Sequence, residues 1–130
     1  MLKWRSLGLG AATFITTHAV VVAKWNVWFG GGYGGPQKPW FLNDGNGPIG
    51  LTAAALCIAA IAAAALWARS RGESVKHGLN LAVGATIAAT AVLFSIGPGT
   101  LFPIVIVSCA LLAATSTIAG AAIVAAFQKR

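Results

Sequence analysis

Acid is what this chain most lacks. Asp44 and Glu73 are the only carboxylates in 130 residues, and charged residues of both signs together make up 8%. A soluble domain carries about 25%, so there is too little polar surface here to cover a water-soluble globule. Neither carboxylate falls in a long apolar stretch. Proton- and cation-coupled carriers usually keep a carboxylate within the membrane, and hydrolytic sets need one to orient a histidine. An enzyme is therefore not expected. Cysteine is scarce as well. Cys57 and Cys109 stand far apart in sequence, whereas zinc patterns bring their ligands in close pairs. They read as small apolar fillers, and no metal site is assigned.

What the chain has instead is apolar length. Hydrophobic residues make up 58%, and the mean hydropathy is +0.81. The run from Asn80 to Phe127 is almost wholly apolar. As one straight helix it would be about 70 Å long, more than twice a hydrocarbon core of roughly 30 Å. It is expected to fold back at Gly97-Pro98-Gly99-Thr100, where proline removes a donor and the glycines take turn dihedrals. The fold class that follows is an all-α integral membrane protein. It is one membrane domain, residues 1–130, with four transmembrane helices arranged as two hairpins.

In chain order, the first span is expected over about 7–29. Thr13, Thr16, Thr17, His18 and Lys24 interrupt it. A signal peptide is the competing reading, with Lys3 and Arg5 as its basic start, but Thr17-His18-Ala19 makes a poor cleavage site. A retained helix is preferred, with Lys24 snorkelling outward beside Trp25 and Trp28. Residues 30–48 form an outer loop rich in Gly and Pro. Its GGGYGG run lacks the Lys-Ser/Thr ending of a phosphate loop. Tyr33, Trp40 and Phe41 are costly to leave in water and are expected on the membrane surface or on a partner.

Pro48 suits the first position of the second span, 49–68. Ala55, Ala59 and Ala63 recur along it at four-residue spacing. A polar turn over 69–77 leads to the third span, 78–96, with Gly84 and Ala88 on one stripe. The fourth span, 101–127, carries Ala113, Thr117 and Ala121, with Ser116 and Gly120 beside them. Small residues of this kind let helix backbones approach closely in lipid. Cys57 and Cys109 each lie eight or nine residues from the outer end of their span. They are expected to share a layer, with His18 slightly deeper.

Charge sets the orientation. Four spans put Lys3, Arg5, Arg69, Arg71, Lys76, Lys129 and Arg130 on one side, and Lys24 and Lys38 on the other. By the positive-inside rule both termini are cytoplasmic, with a bacterial inner membrane as the expected location. The net charge of +7 fits a negatively charged lipid surface. The basic residues sit at segment ends and form no continuous stripe, so nucleic acid is not an expected partner. The five tryptophans fall at span ends or in the outer loop, as an aromatic belt does.

His18 lies near the middle of the first span, where an ionisable group is expensive. It is either bonded to a neighbouring helix or a ligand to a haem or pigment. Pairing with His77 in one chain is poor haem geometry, because the two differ in depth by roughly 15 Å. The function expected is a small non-catalytic accessory subunit of a larger inner-membrane complex. It would be held by its small-residue faces and aromatic loop, with membrane lipids and other subunits, or further copies of itself, as partners. The alternatives are an anchor subunit of a respiratory or photosynthetic complex, with His18 on its cofactor, and a small oligomeric channel or transporter.

Overall fold

A computed structural model describes residues 2–28, 46–96 and 102–128. They form four helices: α1 (Trp4–Trp28), α2 (Asn46–Trp67), α3 (Arg71–Ile96) and α4 (Phe102–Phe127). No strand occurs among the described residues. At 1.5 Å per residue the helices are about 33–39 Å long, which matches or exceeds the thickness of a hydrocarbon core. Two of them are long and apolar enough to cross a membrane, over Gly50–Trp67 in α2 and Ile106–Phe127 in α4. The outer-loop residues Tyr33, Trp40 and Phe41 and the turn at 97–100 lie outside the described residues.

Local signals place the helix starts. The polar segment expected as a turn over 69–77 is mostly helix, since α3 begins at Arg71. The reason is a cap. Ser70 Oγ accepts from Glu73 N at 3.3 Å, and Glu73 Oε2 accepts from Arg69 N at 2.8 Å. This Ser-x-x-Glu pattern satisfies backbone donors that a helix start leaves open. Glu73 also suits the positive end of the helix dipole. Pro48 is the third residue of α2, not the first. That position is still within the first turn, where no donor is needed.

Packing is an alternation of parallel pairs. Ser6 of α1 bonds to His77 of α3, and four residues further along each helix Gly10 meets Leu81, so these two helices run side by side in the same direction. Arg71 and Ser74 of α3 reach Gln128 at the far end of α4, so those two are antiparallel. α3 packs extensively on both α1 and α4, and α2 packs chiefly on α4. The two expected hairpins therefore interleave: α1 leans on α3 more than on its sequence neighbour α2.

Glycine sets the closest approaches. A Cβ on Gly10 would collide with the Leu81 backbone, and one on Gly84 with the Leu7 backbone. A Cβ on Gly120 would also collide with the Cys57 backbone, at a less tight approach that joins α4 to α2. The core between the helices is built largely of Ala59, Ala60, Ala63, Ala82, Ala85 and Ala113, with Leu56 and Leu81 as its large members. Ala113, Thr117, Gly120 and Ala121 are buried inside the bundle. Bulky side chains point the other way: Ile58, Leu66, Ile87, Phe94 and Leu111 are all more than half exposed.

The Gly120 contact also sets the register of the cysteines. Cys57 lies level with Gly120, eleven residues along α4 from Cys109, or about 16 Å by helix rise. They do not share a layer. The expectation measured each from its own helix end. α4 begins further out than α2 relative to their contact, so equal counting does not give equal depth. Both are free thiols.

Candidate functional site

Polar chemistry gathers at one end of the bundle, where α1 starts, α2 ends, α3 starts and α4 ends. His77 lies within α3, two turns past the Ser70 cap, and is almost fully buried. Its Nδ1 lies 2.6 Å from Oγ of the fully buried Ser6. Its ring packs against Trp67 at a centroid distance of 6.0 Å, tilted by 47°. In the tautomer that carries its proton on Nε2, Nδ1 accepts the Ser6 hydroxyl proton. One imidazole thus joins α1, α2 and α3.

Further polar contacts surround it. Lys3 N donates to Asn80 Oδ1 at 3.0 Å, and Lys3 Nζ lies 3.8 Å from Glu73 Oε1. Arg71 Nε donates to the Gln128 carbonyl at 2.7 Å, and Ser74 Oγ donates to Gln128 Oε1 at 2.7 Å. Every chain segment at this end is tied to another by a side chain. Among the described residues, no buried side-chain nitrogen or oxygen lacks a partner.

Electrostatics follow from these positions, and the two titrating groups, Glu73 and His77, both precede the expected span 78–96. Burial pushes the His77 imidazole below its ordinary pKa, and the Lys3 ammonium adds to this. Glu73 and the Trp67 backbone pull in the other direction without overcoming it. Glu73 itself is held below the usual carboxylate range, first by its hydrogen bond from Arg69 N and then by nearby positive charge. His77 is accordingly a neutral ring beside a charged ion pair. Ser6 and His77 resemble a nucleophile and base in their spacing, but Ser6 is 0% exposed, so its oxygen has no space for a substrate. What the arrangement does is fix helices.

His18 lies elsewhere. It is half-buried on α1, its ring nearly parallel to that of Phe14, with centroids 6.3 Å apart and planes 6° from parallel. Twelve residues separate it from Ser6, about 18 Å along the helix, so His18 and His77 stand in different layers. Among the described residues no cluster of three metal-ligating side chains occurs. The sequence assigns no role to Ser6 or Asn80, and it places Trp67 in an aromatic belt, not against a histidine. The Ser70-x-x-Glu73 cap was a usable signal for the helix start. Nothing in the sequence pairs Ser6 with a residue 71 positions away. Comparison with protein-family models, with curated proteins and with solved structures yields no match.

Proposed function

We propose that this chain is a non-catalytic integral membrane protein, an accessory subunit that braces a larger inner-membrane complex. The observation that carries the membrane reading is the inverted size distribution. The buried side chains are mostly Ala, Gly, Ser and Thr, while Ile, Leu, Val and Phe cover the outside. In water that arrangement would waste the apolar surface with most to gain from burial. In lipid it is the expected solution, because association there rests on close backbone packing.

The accessory role rests on where the polar groups go. Thr17, Thr86, Thr90, Thr115, Ser116 and Thr117 each donate to the carbonyl four residues back in their own helix. Hydroxyls committed in this way meet the lipid demand for internal satisfaction and leave little to line a hydrophilic path. The aromatics of residues 30–48 are then the outward contact, and interface hot spots favour such rings. The test pairs two measurements on the full chain. Trp40→Ala should reduce recovery of partner proteins in mild detergent while membrane insertion is unchanged. Solute flux through liposomes of the isolated wild-type protein, with no partner recovered from native membranes, would instead favour a channel or carrier.

A further inference from the structure

An open groove of about 660 Å³ runs along the outside of α3, with Ala110 and Ala114 of α4 as its far wall. Its floor and near wall include Leu79, Val83, Ile87 and Phe94. These recur at steps that keep them on one helix face. Lys76, exposed, continues the same face one turn before Leu79. From Leu79 to Phe94 the groove is about 22 Å long by helix rise, deeper than half of a roughly 30 Å hydrocarbon core. It is apolar along its length, and an exposed cation lies one helical turn beyond its Leu79 end.

We propose that this groove binds one anionic phospholipid, with an acyl chain lying along α3 and the phosphate on Lys76. The proposal rests on the membrane reading above. Charge complementarity selects the occupant: Lys76 stands where a headgroup would lie if the chain followed the groove, and its stem is apolar enough to extend the groove. A packed helix is a poorer fit. The chain's own helices meet through Gly10, Gly84 and Gly120, whereas this face carries Leu, Val, Ile and Phe and no glycine. The two hydroxyls in the groove, Thr86 and Thr90, already donate within α3, so the surface asks for an apolar chain.

The experiment is native mass spectrometry of the full chain, released from vesicles of dioleoylphosphatidylcholine containing dioleoylphosphatidylglycerol. One phosphatidylglycerol should be retained in preference to phosphatidylcholine. Lys76→Gln should lower that preference about fivefold, one basic side chain's share at an anionic surface. Val83→Trp, which fills the groove, should lower retention of the lipid itself. Arg5→Gln, which removes a cation from the same end but off this face, should change neither. Equal retention of both lipids, or equal effects of Lys76→Gln and Arg5→Gln, would overturn the proposal. So would a dimer that Val83→Trp dissociates, because a second copy would then occupy the groove. A chain that sodium carbonate washes off the vesicles would sink the membrane reading itself, an outcome distinct from a chain that inserts and shows no lipid preference.

Discussion

At the scale of single residues, His77 is the side chain with most at stake. Its ring is buried and neutral, bonded to Ser6 and facing Lys3 and Glu73. Because its folded-state pKa lies below the ordinary 6.5, the folded protein binds fewer protons than the unfolded chain in the window below that value. Stability is therefore complete above pH 6.5 and falls as the pH drops toward the folded pKa, then levels off. Glu73, also lowered from its ordinary 4.5, adds a second decline that starts below that value and runs through its own folded pKa. Thermal unfolding in detergent between pH 8 and pH 3 should show both limbs, and His77→Gln should flatten the upper one and reduce the lower one less, since the charged ring is a smaller cause of the Glu73 shift. A profile unchanged by that substitution would contradict the buried neutral ring. Ser6→Ala should cost about 1–3 kcal/mol at neutral pH, because it leaves Nδ1 buried without its partner. Chemical denaturation in a fixed micelle would measure it.

At the scale of helices, glycine separates contact from mere composition. Gly8 and Gly10 are two residues apart on α1, yet a methyl group at Gly8 meets nothing within 4 Å while one at Gly10 meets the α3 backbone. Gly10→Ala and Gly84→Ala should each destabilise the bundle by about 1–3 kcal/mol, the usual range for overpacking. Gly8→Ala should be neutral or stabilise by up to about 1 kcal/mol through helix propensity. A denaturation series on the three variants checks the order, and equal effects at Gly8 and Gly10 would mean that α1 and α3 do not cross there. Gly120→Leu should likewise part α4 from α2, since the Cys57 backbone stands in the way. The small stripe on α4 was legible from four-residue spacing alone, and Ala113, Thr117 and Ala121 are buried. The partner of each stripe was not legible. Spacing reports which residues share a face, but it carries no information on which other face they meet. For the same reason, the α1–α3 pairing and the unequal depths of Cys57 and Cys109 came only with the fold.

At the scale of the whole molecule, the bundle has one end dense in polar ties. Lys3, Arg69, Arg71, Glu73, His77 and Gln128 collect where α1 and α3 begin and where α2 and α4 finish. Lys129 and Arg130 follow directly in sequence. Lys3, Arg69 and Arg71, which the sequence puts on one side, lie together in space, since α1 and α3 start at the same end and α4 finishes against α3 there. A single end rich in Lys and Arg is what retains a segment on the cytoplasmic side. Lys24 lies toward the opposite end of α1, and Lys38 lies outside the described residues. Reporter fusions after Arg130, and within the Arg71–Lys76 stretch, should read cytoplasmic, while one near Gly35 should read external. The strongest form of the test reverses the bias. Changing Lys3, Arg5, Arg71 and Lys76 to Gln while adding three lysines between Gly30 and Gly35 should invert the Gly35 reporter in a measurable fraction of molecules. If charge rather than folding order sets the orientation, that fraction should grow with each lysine added. A Gly35 reporter that reads cytoplasmic in the unmodified chain would overturn this orientation, and Gly35 and Arg130 reporters on the same side would overturn the four-span arrangement.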